Sequence, residues 1–251
     1  MGHDVVGRRL GHVGAPTVNR RRAYYARSGS AARDLAALLH PPYTLWHLSY
    51  VALGAGLAAD IDWLRLSGTL TAFFLGLGVA AHALDEVHTR PLGTGISDGL
   101  LWALGIGGML AAAGVAVVGA YHISPWVLAW AAAGILLAAG YALEWSRALH
   151  SDIGFALAWG SFPVVVGYWA QAEAMSPAAL VAAGAAAALS LAQRRLSTPA
   201  RFVRRNTKRA SAVFDGEQAW DEGALLESWE GPMRALVWVV PLLAAALLLR
   251  H

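Results

Sequence analysis

The sequence of 251 residues contains no cysteine. This absence excludes disulfide bonds, thiolate metal sites and thiol nucleophiles. Lysine is almost absent as well, because Lys208 is the only one, and it lies in a strongly basic segment rather than in an apolar run. A retinal protein needs a lysine inside the membrane to form its Schiff base, so the sequence excludes that class too.

Charged residues of either sign are scarce. They make up 14% of the chain, hydrophobic residues make up 57%, and the mean hydropathy is +0.48. An average soluble protein carries about 25% charged residues, and a soluble domain needs more polar surface than this chain offers. Long apolar runs recur, as they do in proteins with several membrane helices. The sequence therefore predicts an all-α, polytopic helical membrane bundle.

Seven apolar segments are candidates for transmembrane helices. They are residues 43–59, 66–84, 99–120, 123–143, 153–172, 177–192 and 235–249. The sixth is short and rich in Ala and Gly, and the seventh is short and contains Pro241, so we expect six to eight spans. The predicted organisation is a basic flexible cytoplasmic tail (1–38), helices one to six (39–199), a basic-then-acidic cytoplasmic loop (200–231) and a C-terminal helix (232–251).

The placement of positive charge predicts the orientation. With a cytoplasmic N-terminus, all of the 19 Lys and Arg residues except Arg65 and Arg250 fall on cytoplasmic segments. This distribution follows the positive-inside rule. We therefore expect an integral protein of the plasma membrane with its N-terminus in the cytoplasm. Its basic segments are expected to attract anionic membrane lipids.

The first cluster of ionisable residues lies at the C-terminal end of the second apolar segment. On a helix, His82 shares a face with Asp85 and Glu86, three and four residues further on. Carboxylates at a helix end can hold Mg²⁺ through oxygen ligands, with phosphate completing the shell. Asp85 and Glu86 are therefore the predicted metal ligands. The alternative is an ordinary helix end with solvated charges and an Arg–Asp pair.

Two further clusters lie on the same predicted side. The segment after the fourth span contains Tyr141, Glu144 and Arg147, which could be a site or an interfacial ion pair. Residues 193–209 place basic residues at helical spacing, which predicts a basic stripe on a membrane-surface helix. Arginine forks bind phosphate oxygens, in a substrate or in lipid headgroups. The acidic stretch 215–230 follows, either folded back on the stripe as a lid or solvated.

One stretch of sequence resembles a known family. Residues 81–92, Ala-His-Ala-Leu-Asp-Glu-Val-His-Thr-Arg-Pro-Leu, are followed by Gly95-Ile96-Ser97. This stretch is similar to the first acidic motif of the UbiA superfamily of intramembrane prenyltransferases, Asn-Asp-x-x-Asp-x-x-x-Asp. Asp85 falls at the central aspartate, and residues 41–46 resemble the family's opening helix. The resemblance covers residues 40–210.

The resemblance implies a UbiA-like, Mg²⁺-dependent enzyme that transfers or cyclises the chain of an isoprenoid (polyprenyl) diphosphate at a cytoplasmic-side site. It implies Asp85, Glu86 and His82 as catalytic residues. The family's second aspartate-rich motif is missing, and the corresponding region is basic, so we expect arginines there to hold the diphosphate directly. The expected substrate-binding residues are Arg90, Tyr141, Arg147, Gln193, Arg194, Arg195 and Arg201.

Other functions remain open from the sequence. One is a non-catalytic UbiA-like protein that binds lipid or serves as a subunit of a membrane complex. Another is a small-molecule transporter, although no span has an ionisable residue at its centre, where coupling sites usually lie. Nucleic acid is not an expected partner, because no compact domain accompanies the basic stripe. The oligomeric state is not predicted.

Overall fold

The computed structural model describes residues 30–206, 210–213 and 219–251. Most of the predicted tail, residues 1–29, lies outside this range. The last part of that tail is helical: α1 spans Ala31–Leu38, and the Ser30 side chain caps it by accepting a hydrogen bond from the Arg33 amide. Leu38 is fully buried. The last eight residues of the predicted tail are therefore helical, and the end of this helix is buried against the bundle.

The described chain is helical apart from one pair of short strands. Strands β1 (Ala212–Val213) and β2 (Ala219–Trp220) pair in antiparallel fashion between the last two helices. The other helices are α2 (Pro41–Ala55), α3 (Trp63–Phe73), α4 (His82–Thr89), α5 (Asp98–His122), α6 (Trp126–Ala142), α7 (Asp152–Ala156), α8 (Phe162–Ala172), α9 (Pro177–Asn206) and α10 (Glu222–Leu248). Two π-helical segments, Phe74–Ala81 and Leu157–Ser161, join α3 to α4 and α7 to α8.

Among the residues that the structure describes, four continuous helices are long and apolar enough to cross a membrane. They are Trp63–Thr89, Asp98–His122, Asp152–Ala172 and Glu222–Leu248. This finding is consistent with an integral membrane protein. All seven predicted segments fall on helices, but the seven-span count is not confirmed. Helices α2 and α6 have 15 and 17 residues, and the apolar half of α9 consists mainly of alanine.

Helix α2 lies inside the bundle, packed mainly against α8 and α10. A Cβ atom at Gly54 would lie 2.1 Å from the carbonyl oxygen of Val164, and one at Gly167 would lie 2.1 Å from that of Val51. The backbones of α2 and α8 are therefore in direct contact, as small residues allow between membrane helices. The Tyr50 hydroxyl also donates to the carbonyl of Ala186 in α9 (3.1 Å).

The last two helices are longer than predicted. Helix α9 runs through the predicted boundary at residues 199/200, so the expected surface helix is the continuation of α9. Helix α10 likewise runs through the boundary at 231/232. The apolar side chains of Val203, Leu226 and Met233 pack together between them. This packing continues beyond the ends of the apolar segments. A boundary predicted from hydropathy alone therefore falls inside a helix in both cases.

The close contact of α2 and α8 predicts unequal effects of alanine at two glycines. Gly167→Ala forces the helices apart, and overpacking of this kind costs about 1–3 kcal/mol of stability. Gly107→Ala in α5 is the control, since nothing lies within 4 Å of its added Cβ atom. Thermal unfolding of the purified variants in one detergent measures the difference. Equal melting temperatures would contradict the backbone contact.

Candidate functional site

A polar cavity of about 180 Å³ lies at the end of the bundle where α4 terminates. Five of the ten predicted site residues line it: His82, Asp85, Tyr141, Gln193 and Arg201. They come from α4, α6 and α9, so the fold brings together side chains more than 100 positions apart in sequence. The cavity is accordingly built by tertiary packing around one acidic motif.

The α4 side of the polar cavity presents a carboxylate and two imidazoles. The His82 ring lies 4.3 Å from the His40 ring, centroid to centroid. Its Nδ1 donates to the carbonyl of Gly78 (3.1 Å), which leaves Nε2 as an acceptor in the neutral ring. Burial, followed by the nearby charges of His82, Arg205 and Arg201, lowers the pKa of His40 well below its usual range. Asp85 accepts a hydrogen bond from the Thr89 hydroxyl (3.4 Å).

Glu86 does not share a site with Asp85. It is fully buried, and its Oε2 accepts from the amide of Leu92 (2.9 Å). Its Oε1 accepts from the amide (2.7 Å) and the hydroxyl (2.9 Å) of Thr94. Both oxygens are therefore engaged in holding the loop after α4. Arg90 serves the same loop, since it donates to the carbonyl of Ile96 (2.8 Å) and pairs with Asp98.

Arg194 acts on the polar cavity through another residue. It donates to Asp152 (2.8 Å), to the carbonyl of His150 (2.7 Å) and to the hydroxyl oxygen of Tyr141 (2.7 Å). The Tyr141 hydroxyl accepts this bond, so its own proton is available to donate into the cavity. Arg194 is thus a positioning residue for Tyr141.

Besides Arg90 and Arg194, two further predicted substrate-binding residues lie outside the polar cavity. Arg147 is exposed, and Arg195 is 70% exposed with its guanidinium 4.0 Å from Asp152. On a helix, Arg195 points well away from the face that carries Gln193 and Arg201. The basic region after the sixth apolar segment therefore contributes Arg201, and not the Arg194–Arg195 pair, as a direct lining residue.

The structure adds lining residues that the sequence prediction did not select. Arg204 forms a two-pronged ion pair with Glu230 of α10, with Nη2–Oε2 at 2.7 Å. The hydrogen bond to Glu230 raises the pKa of Arg204 above its ordinary value. The last residue of the acidic stretch therefore contacts the basic stripe, while residues 215–218 of that stretch lie outside the described residues. Arg205 lines the cavity too and donates to the carbonyl of Pro91 (3.0 Å).

The donor set of the polar cavity does not fit a magnesium cluster. Of the two carboxylates that line it, Glu230 is paired with Arg204, which leaves Asp85. Glu86, the predicted second ligand, faces the loop. Within residues 30–206, 210–213 and 219–251, no group of three or more His, Asp or Glu side chains is placed to hold a metal ion. A Mg²⁺ ion held by Asp85 alone would need phosphate oxygens and water for the rest of its shell.

An apolar cavity of about 300 Å³ lies between α3, α5, α6 and α8 and extends to the opposite end of the bundle. Leu77 and Trp159 line both this apolar cavity and the polar cavity. Each of them lies in a π-helical segment, a distortion frequent at functional sites. His47 of α2 donates to the carbonyl of Trp159 (2.9 Å) and holds that segment. The two cavities therefore meet at a two-residue partition.

No protein-family model, curated protein or solved structure matches this chain. The resemblance to the UbiA superfamily accordingly stays a prediction.

The three hydrogen bonds to Glu86 predict a local effect of Glu86→Gln. The amide would turn an N–H group toward the donors of Leu92 and Thr94, and a buried donor without a partner costs about 1–3 kcal/mol. We expect faster hydrogen–deuterium exchange in the peptide that contains Leu92 and Thr94. Glu144→Gln, at a side chain 49% exposed, is the control. Unchanged exchange in Glu86→Gln would refute the bracing role.

Proposed function

We propose that this chain is a UbiA-like membrane enzyme that acts on an isoprenoid diphosphate. The phosphate head lies in the polar cavity, and the isoprenoid chain lies in the apolar cavity. The observation that carries this proposal is that Leu77 and Trp159 line two cavities, one with five charged side chains in its lining and one lined mainly by apolar side chains. A single ligand with an anionic head and a long apolar tail is complementary to both.

The head-binding end offers several donors. Arg201 and Arg205 line the polar cavity with guanidinium groups, which bind phosphate oxygens well. The Tyr141 hydroxyl of α6, oriented by Arg194, and the Gln193 amide of α9 add neutral donors. Donors fixed by the fold before the ligand arrives stabilise charge that develops during a reaction.

The tail-binding end is aromatic and aliphatic. The Phe162 ring lies 6.0 Å from Phe73 and 6.1 Å from Trp130, centroid to centroid. All three line the apolar cavity. Burying an isoprenoid chain there removes apolar surface from water at about 25 cal/mol per Å², while the branched chain contacts rings along its length.

The reaction at the partition breaks the bond between C1 of the isoprenoid and the diphosphate oxygen. The electron pair leaves with the diphosphate, whose negative charge the arginines stabilise. Tyr141, Phe155 and Trp159 line the polar cavity next to the partition, where an allylic cation would form, and aromatic rings attract cations. A nucleophilic acceptor, or a double bond of the same chain, then attacks C1 and a proton is lost to Asp85.

The proposal includes a topology. Helices α2, α6 and α9 complete a seven-span bundle together with the four long apolar helices. The N-terminus and the polar cavity are on the cytoplasmic side of the plasma membrane, because Arg201, Arg204 and Arg205 lie at the same end of the bundle as Asp85. Anionic lipids then surround the exposed basic side chains at that end.

A non-catalytic lipid-binding protein is the second candidate function. The observation that favours it is the polar cavity's shortage of carboxylates, with Asp85 the one that is not ion-paired. The same two cavities would then hold an isoprenoid phosphate or a related lipid without cleaving it. Binding without turnover separates this function from the enzyme.

Pyrophosphate release by the purified protein in nanodiscs, with geranylgeranyl diphosphate as substrate, tests the proposal. We expect release by the wild type and a loss of at least about 100-fold in Asp85→Asn, the range of a lost acid–base group. Leu77→Trp should weaken binding of geranylgeranyl diphosphate but not of inorganic pyrophosphate, because it blocks the partition.

Leu110→Trp is the matched control, because Leu110 is 68% exposed on the membrane-facing side of α5. Leu77→Ala widens the partition and should retain binding of the long chain. Binding of geranylgeranyl diphosphate without pyrophosphate release would contradict the enzymatic function and support the lipid-binding function. Equal effects of tryptophan at residues 77 and 110 would contradict the two-cavity mode of binding.

A further inference from the structure

We infer that the polar cavity binds the phosphate groups of its ligand through arginine side chains and not through magnesium ions. This inference rests on the proposed function for the nature of the ligand. It departs from what the acidic motif implies, since that motif predicts carboxylate-bound Mg²⁺ between protein and phosphate.

The disposition of the carboxylates is the first argument. Adjacent helical residues point about 100° apart, so Asp85 and Glu86 face different surroundings. Glu86 is fully buried, with three hydrogen bonds to the loop after α4. Glu230 is 5% exposed and engages both oxygens on Arg204. One carboxylate therefore remains to hold a divalent ion.

The disposition of the guanidinium groups is the second argument. The polar cavity is lined by three arginines of α9. Arg204 and Arg205 lie three and four residues after Arg201, which are the spacings of neighbours on a helix surface. Each guanidinium carries five N–H donors, and Arg205 donates one of its hydrogen bonds to the carbonyl of Pro91. Arg201 makes a long 3.4 Å contact with Thr198 and is otherwise exposed toward the cavity mouth.

The charge of the lining is the third argument. Three arginines face two carboxylates there, and the nearby His40 is neutral because burial lowers its pKa. A lining with excess positive charge attracts phosphate directly and repels free divalent cations. Tyr141 and Gln193 then supply the remaining donors from α6 and α9. Phosphate binding thus needs no bridging metal.

The experiment measures binding of geranylgeranyl diphosphate to the full-length protein in neutral-lipid nanodiscs, with EDTA or with Mg²⁺. We expect the same affinity in both buffers. Arg201→Gln and Arg205→Gln should each weaken binding about tenfold or more, the loss expected for a charge-assisted hydrogen bond. Arg195→Gln on the same helix, at a side chain 70% exposed and outside the cavity, is the matched control.

One further variant and one further measurement keep the test decisive. Arg201→Lys retains the charge but loses the fork, and it should weaken binding less than Arg201→Gln does. The melting temperature of each variant without ligand shows whether it folds, and the exposed position of Arg201 predicts that it does. A loss of binding in a folded variant is then a property of the site.

The outcomes separate this inference from the proposed function. Binding that requires Mg²⁺ and disappears in Asp85→Asn would overturn the inference and leave the proposed function standing. Failure to bind with or without Mg²⁺ would overturn both. Binding that is insensitive to EDTA and depends on the arginines would support the arginine site. If phosphatidic acid in the nanodisc also abolishes this binding by competition, the phosphate that the site binds is that of a lipid headgroup. If inorganic pyrophosphate competes for this binding and phosphatidic acid does not, the result would support both the arginine site and the proposed function.

Discussion

The buried carboxylate of Glu86 is the constraint on which the polar cavity depends. Burying a charged group is costly unless it is fully hydrogen-bonded, and Glu86 meets that condition through Leu92 and Thr94. The loop held in this way presents the Pro91 carbonyl to Arg205 of α9. It also presents the Gly95 amide to Asp34 of α1 (2.8 Å). One acidic side chain thereby joins three helices around Asp85.

The apolar half of the molecule depends on a different constraint, the direct contact of α2 and α8 at Gly54 and Gly167. This contact brings His47 within hydrogen-bonding distance of the Trp159 carbonyl, at 2.9 Å. Trp159 is therefore positioned from α2, although it belongs to the segment between α7 and α8. The polar and apolar cavities meet at Leu77 and Trp159.

Much of the fold was readable from the sequence, because apolar runs and helix-stopping residues are local signals. All seven predicted segments are helical, and the predicted proximity of His82 and Asp85 follows from helical spacing. Gln193 and Arg201 also share one face of α9, eight residues apart. Arg204 continues that face, so its place in the cavity could have been predicted from the same periodicity.

The rest of the site depends on contacts between distant segments. Glu230 pairs with Arg204 across 26 residues, and opposite charges in a sequence do not specify which residues pair. Arg194 was predicted to bind substrate, but Asp152 and Tyr141 engage it. Glu86 was predicted to bind metal beside Asp85, although adjacent residues on a helix point in different directions. In each case a local motif predicted the chemistry, and tertiary packing determined which side chain faces the cavity.

Photo-crosslinking tests most directly the claim that one amphiphilic ligand occupies both cavities. The probe is an isoprenoid diphosphate with a diazirine at the end of its chain, bound to the wild-type protein in nanodiscs. Mass spectrometry of the peptides should locate the adduct among apolar-cavity residues such as Trp130 and Phe162, with inorganic pyrophosphate as competitor abolishing it. Adducts confined to membrane-facing side chains such as Leu110 and Leu242, unaffected by pyrophosphate, would contradict the two-cavity account.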